Sequence, residues 1–473
     1  MNQISSHPII RIEPAETTTF SFAGREITGR KGATVAAALH QAGFPVHSHS
    51  VIAGRNRGLS CGIGKCGACE MLVDGQVRRI CITLCDGVKE VEELPPAYLP
   101  GIVEYPRLTP REVHKTTVVV IGAGPAGLAA RARLRELNID NIVIDNQDRP
   151  GGQFSIQTHR FFFFEDEKRY GDRRGFEIAS LLAGDDQEGI FLNCTVWDIL
   201  AGKTIAVKNL RSGEIFYIAC DKLVVAAGAI PLLPVFANDD LPGVYTAAVV
   251  QKMMNRELTL LGKHVLTVGA GNIGYLTSYQ LRQAGANVKA IIEALPAEGG
   301  FPVQADRVRR LGIPILTGKI LLKAVPSPDG KRVSGAVIAD ADNFQPVPGT
   351  EKLLTGIDLI NICAGLAPDN KLLRKGREIF GVDCYGAGDT LRISEGTSAV
   401  LRGTQAAYEI ADSLGIRYDY DAYLSLSRAY LESQQRPVEL LTSPSLPPKS
   451  RRNKPFALID CLYGFACNPC TFS

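Results

Sequence analysis

Two stretches of this chain carry the same order of parts. Residues 116–145, TTVVVIGAGPAGLAARARLRELNIDNIVID, and residues 263–293, KHVLTVGAGNIGYLTSYQLRQAGANVKAIIE, each run from an apolar strand through G-x-G-x-x-G into a helix. Each then leaves along a second strand that ends in an acid, Asp145 or Glu293. Parallel strands need a crossover, usually a helix, so each stretch predicts a strand–helix–strand unit of a parallel sheet. At 473 residues the chain is too long for one compact domain, and 45% hydrophobic residues with 47 glycines suit an α/β protein rich in tight turns.

The glycines have separate physical jobs. The first makes the tight turn, the second lets backbone approach a pyrophosphate, and the third lets helix and strand pack closely. In the first unit these are Gly122, Gly124 and Gly127, with Pro125 and Ala126 opening the helix. A pyrophosphate there meets the free N–H groups and the positive end of the helix dipole. Asp145, followed by Asn146, is placed to accept hydrogen bonds from an adenosine ribose. In the second unit the set is Gly269, Gly271, Asn272, Ile273 and Gly274. Glu293 there would bond the ribose diol and repel a 2′-phosphate, which favours NAD over NADP. Two readings of this second unit stay open: a working nucleotide site, or a duplicated fold that keeps its glycines for packing.

A different chemistry precedes both units. Cys61, Cys66, Cys69 and Cys81 give C-x4-C-x2-C and a fourth cysteine eleven residues on. The first three match plant-type [2Fe–2S] spacing, and two irons require four thiolates. Gly62, Gly64 and Gly67 let the loop turn N–H groups toward sulfur. Zinc is the rival, though zinc sites usually use paired C-x2-C knuckles and one pair occurs here. Cys85 is read as an inert neighbour, with the fourth-ligand role as its alternative. His47 and His49 could suggest a Rieske-type or metal site, but with four cysteines already at hand they are read as surface histidines.

Around this loop, residues 18–44 alternate as strand, turn, strand and helix, with Thr34 as the helix cap. EMLVDGQVRRI predicts a hairpin turning at Asp74-Gly75. The fold class expected is therefore α/β: a β-grasp [2Fe–2S] domain over 1–100, then a protein with two dinucleotide-binding domains. A proline-rich linker covers 101–113. The first nucleotide domain takes 114–253 and resumes over 353–425, with the second inserted at 254–352. A tail fills 426–473.

The segments between these motifs resemble flavin enzymes built on two dinucleotide-binding domains. RPGGQ follows Asp145 directly, as in flavin reductases that set this segment beside the flavin, which implies roles for Gly151, Gly152 and Gln153. LVVAAGA, with Ala227 and Gly228, resembles the point where such chains cross between nucleotide domains. GVDCYGAGDT resembles the late flavin motif, in which Gly388 lies beside an Asp389 that would hold a ribityl hydroxyl. No C-x-x-C pair lies within 114–410, which argues against a thioredoxin reductase.

With the iron–sulfur domain fused ahead, the chain resembles the electron-transfer subunits of bacterial amine and imino acid dehydrogenases. These include hydrogen cyanide synthase, opine oxidases, dye-linked proline and hydroxyproline dehydrogenases, and the alpha subunit of heterotetrameric sarcosine oxidase. GGQFSIQTHRFF, Gly151–Phe162, is similar to those subunits in particular. The resemblance implies FAD in the first nucleotide site, NAD or another nucleotide in the second, and a partner flavoprotein that oxidises the C–N bond. His159 and Phe161–Phe164 then read as core covering the cofactor, with flavin contact or partner docking as the alternative.

Cys461, Cys467 and Cys470 give C-x5-C-x2-C in the tail, one thiolate short of a full cage. A further iron–sulfur cluster, zinc, and a tail without metal all stay open. No catalytic acid–base pair is assigned: the seven histidines form no recognisable constellation with carboxylates. A net charge of +3 gives no basic stripe for nucleic acid. The longest apolar run is too short to span a bilayer and contains prolines, and MNQISSHPII lacks a secretory pattern, so the expected location is the cytoplasm. The functional expectation is an FAD- and iron–sulfur-containing electron-transfer subunit. The alternatives are a self-sufficient NADH-dependent reductase and a nucleotide-binding scaffold without redox chemistry.

Overall fold

The structure, a computed structural model, describes residues 3–50, 54–95, 113–160 and 170–441. These fall into two compact units. The first joins the described residues of 1–99 to those of 231–365, and the second joins those of 100–230 to those of 366–438.

In the first unit the N-terminal segment folds as a β-grasp sheet of five described strands. Their order is Arg25–Arg30, Thr17–Phe22, Glu90–Glu92, Glu70–Val73 and Gln76–Arg79. Thr17–Phe22 pairs antiparallel with Arg25–Arg30 and parallel with Glu90–Glu92. The hairpin turns at Asp74 and Gly75, both at positive φ (49° and 74°), which matches the right-handed twist of the flanking strands. Helix Val35–Gln41 starts where expected, with the Thr34 side chain accepting from the Ala37 N–H at 3.3 Å. Leu39, Met71 and Ile80 are fully buried, each contributing about 2 kcal/mol of hydrophobic stabilisation.

The same unit contains the second nucleotide-binding fold. Its parallel sheet runs Val244–Thr246, Leu359–Ile362, His264–Val268, Asn287–Ile292 and Ile315–Leu316. An antiparallel sheet of Lys319–Pro326, Val333–Asp342, Gln345–Pro346 and Lys352–Thr355 packs beside it. The expected boundaries at 253/254 and 352/353 therefore move, to 230/231 and 365/366. Val244–Thr246 and Leu359–Ile362 pair in parallel inside the inserted sheet, not the first one. Both are short buried apolar runs, and such runs look alike whichever sheet they join.

The iron–sulfur segment and this second fold share one hydrophobic core, which runs from Phe20, Leu39 and Met71 to Tyr245, Val249 and Tyr275. Polar ties complete the junction. Thr34 N–H donates to Glu257 Oε2 at 3.0 Å, Arg30 donates to the Arg256 carbonyl at 3.0 Å, and Gln41 donates to Thr259 Oγ1 at 2.8 Å. Glu257 is 1% exposed and lies 3.6 Å from the buried Arg256 guanidinium.

In the second unit, Val113–Ile121 lies between Asn141–Ile144 and Ile215–Val225, parallel to both. Ile190–Phe191 extends one edge, and Thr204–Asn209 and Cys194–Leu200 extend the other. Cys384–Gly386 brings the chain back by pairing in parallel with Leu223–Val225. Helix Pro125–Glu136 packs on helix Gly396–Ser413, and strand and helix faces meet in a core with Leu128, Val143 and Ile410. No helix among the described residues is long and apolar enough to cross a membrane.

Glu257→Ala leaves the Thr34 N–H without its acceptor and Arg256 without its carboxylate. A loss of about 3 kcal/mol is expected. Guanidinium unfolding followed by far-UV dichroism checks it, with Glu257→Gln, which keeps an acceptor, losing less.

Candidate cofactor sites

The loop from Cys61 to Cys69 closes on itself through thiols. Cys61, Cys69 and Cys81 are buried and Cys66 faces solvent. Hydrogen bonds join them as a chain: Cys66 to Cys61, Cys61 to Cys81, and Cys81 to Cys69. The Lys65 and Cys66 N–H groups both reach Cys61 Sγ at 3.4 Å. Bonds from Cys66 and then Cys81 hold the Cys61 thiol well below its ordinary range, and Cys66 and Cys81 are raised in turn. Among the described residues no three His, Cys, Asp or Glu side chains converge as a single metal ion would require. Four neighbouring thiols, with the Lys65 and Cys66 N–H groups turned toward Cys61 Sγ, offer the donor set a two-iron cluster needs.

Cys85 does not join them. It packs against Gly29, donates to the Arg30 carbonyl at 3.3 Å, and burial pushes its thiol up to about 11. His47, expected at the surface, is fully buried, with its ring 4.9 Å from that of buried His40 and with Tyr245 beside them. Loss of solvation lowers His47 to about 4, so both rings stay neutral near pH 7. His49 is exposed, 3.6 Å from Glu93.

The two fingerprints are built alike in detail. A Cβ on Gly127 would lie 1.8 Å from the Gly122 carbonyl oxygen, and one on Gly274 would lie 2.0 Å from that of Gly269. Neither position admits a larger residue. Beside Gly124 and Gly271 a Cβ would meet nothing within 4 Å, which leaves open space before the N-termini of helices Pro125–Glu136 and Asn272–Gln283. This is the cradle that a pyrophosphate needs. The acids also match. Asp145 accepts from Ala123 N–H at 2.6 Å and Gln147 N–H at 2.8 Å, and Glu293 accepts from Ala270 N–H at 2.8 Å and Leu295 N–H at 3.0 Å. Burial raises Glu293 above the usual carboxylate range, against the pull of those bonds.

One repeated element escaped sequence reasoning. Gly151 N–H donates to the Ala123 carbonyl at 2.8 Å, which folds the RPGGQ segment onto the fingerprint turn. Gly299 N–H donates to the Ala270 carbonyl at 3.1 Å in the same way. Gly151 lies six residues after Asp145, and Gly299 six after Glu293. That shared offset was a readable signal. Asn272 Oδ1 adds a bond from Phe301 N–H at 2.7 Å.

Elsewhere in the second unit, the crossing motif and the late motif come together. Gly228 N–H donates to Thr390 Oγ1 at 2.9 Å, and a Cβ on Gly388 would press on Ala126 at 2.9 Å. Asp389 is brought to the same end of the sheet, where burial pushes its carboxyl up to about 6 although it accepts from Ser394 N–H. An acceptor held this way, close to the fingerprint helix, suits a ligand hydroxyl. Gln153 is exposed at the rim of the short Gly152–Ile156 helix. His159 accepts a backbone bond from Gly175 at 3.3 Å, while Phe161–Phe164 and the tail cysteines Cys461, Cys467 and Cys470 lie outside the described residues.

This arrangement defines a flavin-type oxidoreductase fold with a four-cysteine loop ahead of it. Residues 116–390 match the family described as pyridine nucleotide-disulphide oxidoreductase, and the chain belongs to that family. Residues 15–93 match the 2Fe-2S iron-sulfur cluster binding domain, so FAD and a [2Fe–2S] cluster are its cofactors. Over 381 residues the chain is 23% identical to the alpha subunit of sarcosine oxidase from Corynebacterium sp. (strain P-1), covering 76% of this chain and 38% of that one. Over 380 residues it is 25% identical to the opine oxidase protein of Rhizobium meliloti (strain 1021) that forms the A component of that enzyme, covering 69% of this chain and 80% of that one. The chain thus spans less than half the length of its sarcosine oxidase relative. Its fold is similar to that of L-proline dehydrogenase from P. horikoshii, with a TM-score of 0.63, 17% identity, and 95% of this chain and 83% of that chain covered.

Asp389 has its carboxyl raised from 3.8 to about 6, so its protonated form is favoured by folding. That contribution is present below pH 4 and lost as pH rises through 6. Asp389→Asn is expected to stabilise the flavin-free protein at pH 7 by about 1–3 kcal/mol, with no gain at pH 4, while weakening FAD retention. Urea unfolding at the two pH values and flavin release on gel filtration check both halves.

Proposed function

We propose that this chain is the electron-transfer subunit of an amine or amino acid dehydrogenase, acting on a proline-, hydroxyproline-, sarcosine- or opine-like substrate class through a partner flavoprotein. The observation that carries this reading concerns thiols. The family is named for disulphide chemistry, yet the cysteines within residues 116–390 are Cys194, Cys220, Cys363 and Cys384. Burial pushes them up to about 11, 12, 12 and 11. Thiols held protonated in this way are poor nucleophiles and offer no dithiol relay. The reactive sulfur chemistry lies instead in the cage of Cys61, Cys66, Cys69 and Cys81.

Bound FAD exchanges electrons in pairs or singly and a [2Fe–2S] cluster exchanges them singly, so the pair together matches a two-electron donor to a one-electron acceptor. The chain's own residues hold these groups. Gly122, Gly124 and Gly127 leave room for a pyrophosphate, Asp145 and Asp389 offer acceptors to hydroxyls, and the thiols supply the iron ligands. Similarity to the sarcosine and opine oxidase proteins supports a multi-subunit assembly, and in this reading a partner flavoprotein carries out C–N oxidation.

A second reading is favoured by one observation, the close copy of the first site at Gly269–Gly274, Glu293 and Gly299. A site so complete suits NADH, which would make the chain a self-sufficient reductase. Anaerobic addition of NADH to the purified chain separates the two. The electron-transfer reading expects flavin absorbance to stay unchanged and the chain to co-purify from its source with a second flavoprotein. Rapid bleaching by NADH alone overturns that reading in favour of the reductase.

A further inference from the structure

Helix Ala247–Asn255 of the second nucleotide fold forms the seat of the cysteine loop. Thr246 Oγ1 donates to the Ser60 carbonyl at 2.8 Å. A Cβ on Gly62, which has φ +67°, would lie 3.2 Å from the Val249 Cα, so loop backbone rests directly on the helix. Lys252 rises from this helix with only 6% of its surface exposed. Its ammonium donates to the Gly62 carbonyl at 3.0 Å and to the Cys81 carbonyl at 2.8 Å. Those carbonyls lie on separate parts of the cage: Gly62 directly follows the first thiol, and Cys81 is itself the fourth. Taking an ammonium out of water is costly, and an apolar side chain of similar length would pack the helix against the loop at no such cost.

We propose that Lys252 is a positioning and potential-setting residue for the [2Fe–2S] cluster, clamping both arms of the cage and placing a fixed positive charge beside it. The proposal rests on the cage reading above. When the cluster takes up one electron, no bond forms or breaks and the site gains one negative charge. A cation held on two carbonyls of the cage and largely removed from solvent would favour that added charge more than one in water would. Because Lys252 belongs to the nucleotide fold, that domain sets how readily the iron–sulfur domain accepts an electron. No sequence motif marked it: Lys252 lies 171 residues from Cys81 and 190 from Gly62.

The test is a redox titration of the full chain with its cluster, using dithionite and mediators and reading the reduced cluster by electron paramagnetic resonance. Lys252→Met keeps the stem and removes the charge, and Lys252→Arg keeps the charge. The expected result is a reduction constant at least tenfold lower in Lys252→Met, about 59 mV more negative for one electron, with Lys252→Arg close to the native potential. Loss of the signal in Lys252→Met with retention in Lys252→Arg also supports the proposal. An unchanged potential in Lys252→Met overturns it, as does loss of the signal in both variants, which reduces Lys252 to packing. A native chain with no such signal removes the cage reading itself.

Discussion

Four thiol side chains gathered in a largely buried loop make an environment that needs donors, and the rest of the structure is arranged around that need. The loop cannot meet it alone. Its own N–H groups reach Cys61 Sγ from Lys65 and Cys66, but its carbonyls at Ser60, Gly62 and Cys81 find their partners on Thr246 and Lys252. Those partners stand at the start and middle of one helix. The β-grasp segment is therefore built onto the second nucleotide fold. It shares a core and a buried polar junction with the second nucleotide fold, and Glu257 closes the far side by accepting from Thr34, the cap of helix Val35–Gln41.

This junction gives a physical meaning to the duplicated fingerprint. The first copy, with Asp145 and the RPGGQ segment, lies in a unit that also holds the crossing and late flavin motifs, tied by Gly228 and Thr390. The second copy lies in the unit that seats the thiolate cage. The proposed flavin site and the proposed cluster site thus fall in different compact units, each with its own parallel sheet. The inserted fold does more than carry a fingerprint: its helix Ala247–Asn255 is the floor of the cysteine loop.

Much of this was legible in the sequence because the relevant signals are local. The spacing of Cys61, Cys66 and Cys69, the turn at Asp74-Gly75, the cap at Thr34 and both glycine fingerprints each depend on a few neighbouring residues with strict backbone requirements. What was missed is non-local. Val244–Thr246 and Leu359–Ile362 carry no mark of the sheet they join, so the inserted domain widened at both ends, to 230/231 and 365/366. His47 reads as a surface residue, yet it is buried with its ring edge-on to that of His40. Lys252 sits in an ordinary amphipathic helix, and only the fold brings it to Cys81. The Gly299 loop is the exception, since its offset from Glu293 was visible and passed over.

The central claim is that one chain holds both a two-electron and a one-electron redox group, the second in the cage of Cys61, Cys66, Cys69 and Cys81. Anaerobic reductive titration of the FAD-loaded protein tests it most directly when run beside Cys69→Ala. The native chain should take up about one more electron per flavin than the variant, with flavin reduction intact in both. Equal uptake by the two would contradict the account.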